Sequence, residues 1–189
     1  MVYVILTDGF EDMEAVAPID VLRRAGLSVT TVGTPAQTVV SSHGVRLTAD
    51  RTFDGLDASD LEMLVLPGGP GVEALKRAPE VLALLRDAVR RDKPVGAICA
   101  APSILAEQGF LAGRRATCFP GYEDVLIHHG AHVEEGRAVV QDGSFITARA
   151  AGSAVAFALH LTAVLRGRSE AEKVRAAICY ETTDRRTTR

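Results

Sequence analysis

The chain has 189 residues, enough for one domain with a substantial buried core. Hydrophobic residues make up 47% and charged ones 24%, and the net charge is −3, so no basic surplus exists to hold a phosphate backbone and nucleic-acid binding is not expected. The apolar run at residues 2–6 stops at Asp8-Gly9, far short of the roughly 20 residues of a membrane helix.

That run also lacks the basic start of a signal peptide, so a cytoplasmic protein with no membrane partner is expected. Its β-branched residues and the glycine loop after it suit a buried parallel strand. Residues 15–25 place Val16, Ile19, Val21 and Leu22 near helical spacing, with Gly26 as the stop. Pro18 is tolerable if this helix begins near Glu14, so that the ring falls in the first turn. Residues 27–32 are strand-like again. Residues 38–42 and 45–48, around His43-Gly44, read as a hairpin outside the main alternation.

Residues 62–66 form another buried strand, closed by Pro67-Gly-Gly-Pro-Gly71. Residues 79–91 carry Val81, Leu82, Leu84, Leu85 and Val89 among charges, an amphipathic helix. A strand at 94–98 and a helix at 100–108 follow, then a helix at 122–129. Residues 138–140 and 145–147 read as strands joined by a turn at Asp142-Gly143, and 153–165 and 170–177 as helices. The polar segment 181–189, with three arginines, is expected to fray.

Strands alternating with helices predict a single α/β domain over residues 1–189, with a mainly parallel, doubly wound sheet. In such sheets the ligand crevice lies off the carboxyl ends of the strands, here after Leu6, Leu66 and Ile98.

Val95-Gly-Ala-Ile-Cys-Ala-Ala-Pro-Ser103 puts Cys99 at an abrupt strand-to-helix junction, the arrangement that pushes a nucleophile out above a sheet. The N-terminus of the next helix would favour its thiolate. A buried cysteine acting as a small hydrophobe is the competing reading. Cys118, in a loop before Phe119-Pro120, and Cys179, expected in the last helix beside Ile178, read as structural or incidental. An odd count of three, with no Cys-x-x-Cys and no close Cys/His spacing, argues against a disulfide framework and against a zinc site, so no metal is expected.

Asp8-Gly-Phe-Glu-Asp-Met-Glu14 places four acids in seven residues at the first crevice position. Glu11 and Asp12 suit helix capping. Glu14 can turn inward, where burial beside a thiolate would raise its pKa and let it hydrogen-bond the sulfur or move substrate protons. Leu66-Pro-Gly-Gly-Pro-Gly71 matches neither a dinucleotide fingerprint nor a phosphate loop. It is either a plain tight turn or a source of backbone donors, with Gly69 and Ala100 N–H forming an oxyanion hole.

Together Gly9-Phe-Glu-Asp-Met-Glu14, Leu66-Pro-Gly-Gly69 and Ala97-Ile-Cys-Ala-Ala-Pro102 resemble the ThiJ/PfpI superfamily, in its parkinsonism-associated deglycase and YajL-like branch. Val21-Leu-Arg-Arg-Ala-Gly26 and Ile146-Thr-Ala-Arg149 extend the resemblance over nearly the whole chain. It implies a flavodoxin-like three-layer sandwich, usually a homodimer and without a cofactor. Cys99 would be the nucleophile, Glu14 its acidic partner, and Gly69 and Ala100 the oxyanion donors. Arg23, Arg24 and Arg149 match arginines near the family's dimer interface and pocket, with solvated surface charge as the alternative.

Two departures stand out. Some members carry histidine where this chain has Phe119, and His128, His129 and His132 are near only in sequence. PfpI-type peptidases carry histidine directly after the cysteine, where this chain has Ala100. The resemblance therefore implies an enzyme of the glyoxalase III or deglycase kind, acting on methylglyoxal or glycated adducts, rather than a peptidase. A cysteine-based oxidation sensor or redox-dependent chaperone is the alternative. Thiamine-precursor metabolism has no residue in its support.

Overall fold

The computed structural model describes residues 1–181; nearly all of the expected frayed tail lies outside the described residues. Val2–Leu6 (β1) is buried at every position, as a parallel strand covered on both faces requires. Asp12–Arg24 (α1) leads to Val29–Gly33 (β2). Thr38–Val40 (β3) and Arg46–Thr48 (β4) form an antiparallel ribbon apart from the main sheet, the hairpin expected there. Then come Arg51–Thr52 (β5), Met63–Leu66 (β6), Val72–Leu75 (α2) and Pro79–Arg90 (α3). Val95–Ile98 (β7), Pro102–Glu107 (α4), Arg115–Ala116 (β8), Glu123–His128 (α5) and His132–Val133 (β9) follow. The described chain closes with Val139–Asp142 (β10), Phe145–Ala148 (β11), Ala154–Arg166 (α6) and Arg168–Ala177 (α7).

The main sheet runs β10-β11-β7-β6-β1-β2-β5, parallel except that β10 is antiparallel to β11. From β1 the chain steps one way to β2, whereas from β6 it steps the other way to β7. Right-handed crossovers then put α1 and α3 on opposite faces, which gives the expected three layers. On the α1 face, α6 packs against both α1 and α7. Gly96 in β7 lets α6 sit close, since a methyl there would lie 2.9 Å from both Leu161 and Phe157. The winding reverses between β1 and β6, so the crevice opens off their carboxyl ends. β7, which ends at Ile98, is next to β6.

Four local expectations are corrected. α1 begins at Asp12, so Pro18 lies inside the helix and not in its first turn; its missing N–H leaves the carbonyl of Glu14 without an intrahelical donor. The hairpin turn is Gly143-Ser144, because Asp142 still pairs with Phe145. The helix after Cys99 starts at Pro102 and is only six residues long, leaving Ala100 and Ala101 in the turn. Cys179 stands beyond α7, exposed and with φ +53°.

Candidate functional site

Cys99 directly follows β7 and adopts φ +67°, a left-handed conformation that costs a non-glycine residue of order 1–2 kcal/mol. The surrounding backbone holds it there. Its N–H donates to the Ala148 carbonyl at 2.9 Å on the β11 side, and its carbonyl accepts the Phe119 N–H at 2.9 Å. The sharp turn predicted from the small residues around it is therefore present. Cys99 is 8% exposed, reachable but largely desolvated.

Glu14 reaches the same point from the other side of the crevice. Glu11 is the N-cap of α1, its carboxylate accepting the Glu14 N–H at 2.8 Å, and this fixes the first turn so that Glu14 faces inward. Glu14 is fully buried, and its Oε2 accepts the Gly68 N–H at 3.0 Å. Its Oε1 is buried with no fixed partner, so the contact with the Cys99 thiol is the polar interaction left open to the carboxyl. Burial is the main reason that the Glu14 pKa rises to about 7; hydrogen bonding to the thiol opposes the rise.

The Cys99 thiol is pushed up to about 12, first by burial and then by the charge on Glu14. The Gly69 and Ala100 N–H groups point at the sulfur and pull in the opposite direction. A thiolate favoured by the dipole of the next helix is thus not what the fold provides, since that helix is short and desolvation dominates. The acid and the thiol form a pair in which one proton is exchanged most readily, and the thiolate is stabilised only when Glu14 carries that proton.

The glycine loop makes this approach possible. A methyl at Gly68 would lie 2.6 Å from both Cys99 Cβ and Glu14 Oε2. Gly69 has φ +94°, and a methyl there would meet the Gly9 carbonyl at 2.5 Å and the Glu11 nitrogen at 2.7 Å. The Glu11 N–H also donates to the Gly68 carbonyl at 3.0 Å, which ties the loops after β1 and β6 together. Gly68, Ala148 and the backbone of Phe119 are site elements that the sequence reading passed over. The paired glycines were a usable signal for the first, whereas the others join only through tertiary hydrogen bonds.

The remaining expected residues lie elsewhere. Arg23 donates to the Val29 carbonyl and pairs with Asp50 at 3.0 Å; Arg24 pairs with Asp20 at 2.7 Å and lines a groove beside Cys179. Arg149 is exposed just past β11, level in register with Cys99. His128 and His129 sit at the end of α5 and His132 on β9, with no hydrogen bond to Cys99 or Glu14. Cys118 is buried, and burial with the Glu123 charge pushes its thiol up to about 12, consistent with a packing role. Among the described residues, one group could share a cation, Glu11, Asp12 and His43, with ligand atoms within 4.8 Å. Its Asp12 already accepts from Ser41 and pairs with His43, clasping the hairpin loop to α1.

Relatives share this architecture. Protein dj-1beta of Drosophila melanogaster is 35% identical over 173 residues, covering 90% of this chain and 92% of that protein. Its crystal structure superimposes with a TM-score of 0.91 over 96% of this chain and 98% of the other. Deglycase PH1704 of Pyrococcus horikoshii is 33% identical over 74% of this chain and 84% of its own length. Glutathione-independent glyoxalase DJR-1.2 of Caenorhabditis elegans is 30% identical over 89% and 90%, respectively. The DJ-1/PfpI family model matches residues 1–164, and the chain belongs to that family.

Proposed function

We propose that this chain is a cofactor-independent cysteine enzyme that converts small α-oxoaldehydes such as methylglyoxal, or their adducts, into hydroxy acids. The observation that carries this reading is the buried pair of Cys99 and Glu14, a nucleophile on a strained turn facing a carboxyl held near neutrality. Relatives named as deglycases and as a glutathione-independent glyoxalase support the same reaction class.

Cys99 passes its proton to Glu14 and the sulfur attacks the aldehyde carbon; Glu14 hands the same proton to the new oxygen, giving a neutral hemithioacetal whose oxygen lies toward the Gly69 and Ala100 N–H groups and leaving Glu14 as carboxylate. Glu14, as carboxylate, then removes the hydrogen from that carbon, and the proton returns to the neighbouring carbonyl carbon through an enediol. The first carbon is thereby oxidised to a thioester and the second reduced to an alcohol. Water cleaves the thioester, releasing lactate and restoring the thiol. The sum is methylglyoxal plus water to lactate, with no external oxidant or reductant.

The chain acts as a homodimer in this reading. Met13, Val16 and Val45, each about half exposed, form an apolar face with Phe10 and Leu47 that a second copy would cover. A second reading, oxidation sensing, is favoured by the unpartnered Glu14 Oε1, which once protonated would hydrogen-bond an oxygen added to the sulfur.

Methylglyoxal consumption with lactate detection on the parent, Cys99→Ser and Glu14→Gln tests the enzyme reading. Lactate formation in the parent, lost in both variants, is the expected result. A Cys99→Ser variant as fast as the parent would refute it. No lactate from any of the three, together with selective oxygen addition at Cys99 under mild peroxide, would favour the sensor.

A further inference from the structure

Ser41 stands just after β3, remote from Cys99 along the chain, and it is 6% exposed. Its hydroxyl donates to Asp12 Oδ1 and accepts the Val45 N–H at 3.0 Å and the His43 N–H at 3.3 Å. His43 Nδ1 lies 2.9 Å from the other Asp12 oxygen, so the β3–β4 ribbon holds both oxygens of that carboxylate. Around this clasp the ribbon grips the loop after β1. Asp8 accepts the Val40 N–H, the Gly9 N–H donates to the Val40 carbonyl and the Ser42 N–H to the Phe10 carbonyl, each at 2.8 Å. The same loop is tied to the glycine loop by the Glu11 N–H to the Gly68 carbonyl and the Gly71 N–H to the Gly9 carbonyl, both at 3.0 Å.

Asp12 and Glu14 share the first turn of α1. Two residues of helix rotate a side chain by about 200°, so a turn whose Asp12 faces the ribbon presents Glu14 to the opposite side, where Gly68 and Cys99 lie. We propose that Ser41 is a positioning residue whose grip on Asp12 sets the rotation of this turn and so holds the Glu14 carboxyl against Cys99. Its part in turnover rests on the enzyme reading above, whereas its effect on the Cys99 and Glu14 pair does not. The titratable groups facing Glu14 are Cys99 and Glu11, and the one facing Asp12 is His43. Loss of the Ser41 hydroxyl therefore reaches Glu14 through position and not through a changed charge beside it.

The test is the pH profile of Cys99 alkylation by iodoacetamide, read by peptide mass spectrometry so that the exposed Cys179 is counted apart. The reagent takes the thiolate, and Cys99 and Glu14 titrate as a pair, so in the parent the rate rises as pH passes about 7. In Ser41→Ala and Asp12→Ala that rise should move down by about one unit or more, as Glu14 leaves its buried place. Asp12→Asn should keep the parental profile, because an amide still accepts from Ser41 and can donate to His43 Nδ1. Thr48→Ala, which removes the exposed Thr38–Thr48 hydroxyl contact at the other end of the ribbon, should keep it as well, since loosening the ribbon there leaves the clasp in place.

Where the parent forms lactate, kcat of Ser41→Ala should fall by about tenfold with KM within about twofold, because Ala148 and Phe119 hold the turn of the sulfur and only the acid moves. A Ser41→Ala profile within about 0.3 pH units of the parent would overturn the role. So would an Asp12→Asn or a Thr48→Ala profile shifted as far as that of Ser41→Ala. A shifted Ser41→Ala profile in a chain that forms no lactate would leave the role standing and remove only the enzyme reading.

Discussion

Replacing Glu14 by Gln removes a buried titrating group and keeps an acceptor for the Gly68 N–H. In the folded chain the Glu14 carboxyl is held at about 7 against an ordinary 4.5, so between those values the folded state binds more protons than the unfolded one. Stability therefore falls as pH rises through this window. The contribution is fully present below 4.5, where both states are protonated, and is lost once pH passes about 7. The span is 7 − 4.5, or 2.5 units, which at about 1.4 kcal/mol per unit amounts to about 3 kcal/mol. Most of it, about 2 to 3 kcal/mol, falls between roughly pH 5 and pH 8. Urea unfolding of parent and Glu14→Gln at those two pH values, followed by circular dichroism because the chain has no tryptophan, reads the difference directly. The variant should gain on the parent by that amount from the lower to the higher pH. Parallel profiles would mean that Glu14 is ionised at ordinary carboxylate pKa, and the shared-proton account of the site would fall with it.

Two further outcomes follow from backbone geometry. At Cys99, φ +67° favours glycine, so Cys99→Gly should be more stable than Cys99→Ala by about 1 kcal/mol, the reverse of the usual order. Thermal melts decide this, and an alanine variant that melts higher would show that the turn relaxes without strain. At Gly68, the methyl of Gly68→Ala would sit 2.6 Å from Cys99 Cβ, Glu14 Oε2 being equally near. It should cost about 2 kcal/mol or more and separate the acid from the thiol. Unchanged stability together with parental lactate formation would contradict the close approach.

Much of this molecule was legible along the chain. Apolar runs such as Val2–Leu6 and Met63–Leu66 stand out because a parallel strand covered on both faces has no room for polar residues. Gly-Ala-Ile-Cys-Ala-Ala-Pro marks the sharp turn at Cys99, because only small neighbours permit it. Short pieces such as Arg51–Thr52 and Arg115–Ala116 were not legible, since two residues carry no periodicity and exist only through their partners. Pro18 misled about the start of α1, because the Glu11 cap and the packing of α1 on α6 outweigh the lost hydrogen bond.

The residue types of the site were thus determined by sequence, and their chemical state by tertiary structure. Of the four acids after β1, position at the helix start already set Glu14 apart from the capping Glu11 and Asp12, but not its burial or its charge. What settles these is that α1 turns it into a fully buried position against Gly68 and Cys99. A local helix dipole suggested a thiolate, but the actual balance depends on desolvation and on a carboxyl 85 residues away in the chain. Charge in a buried site is set by every group that closes around it in space, and spacing along the chain does not contain that information.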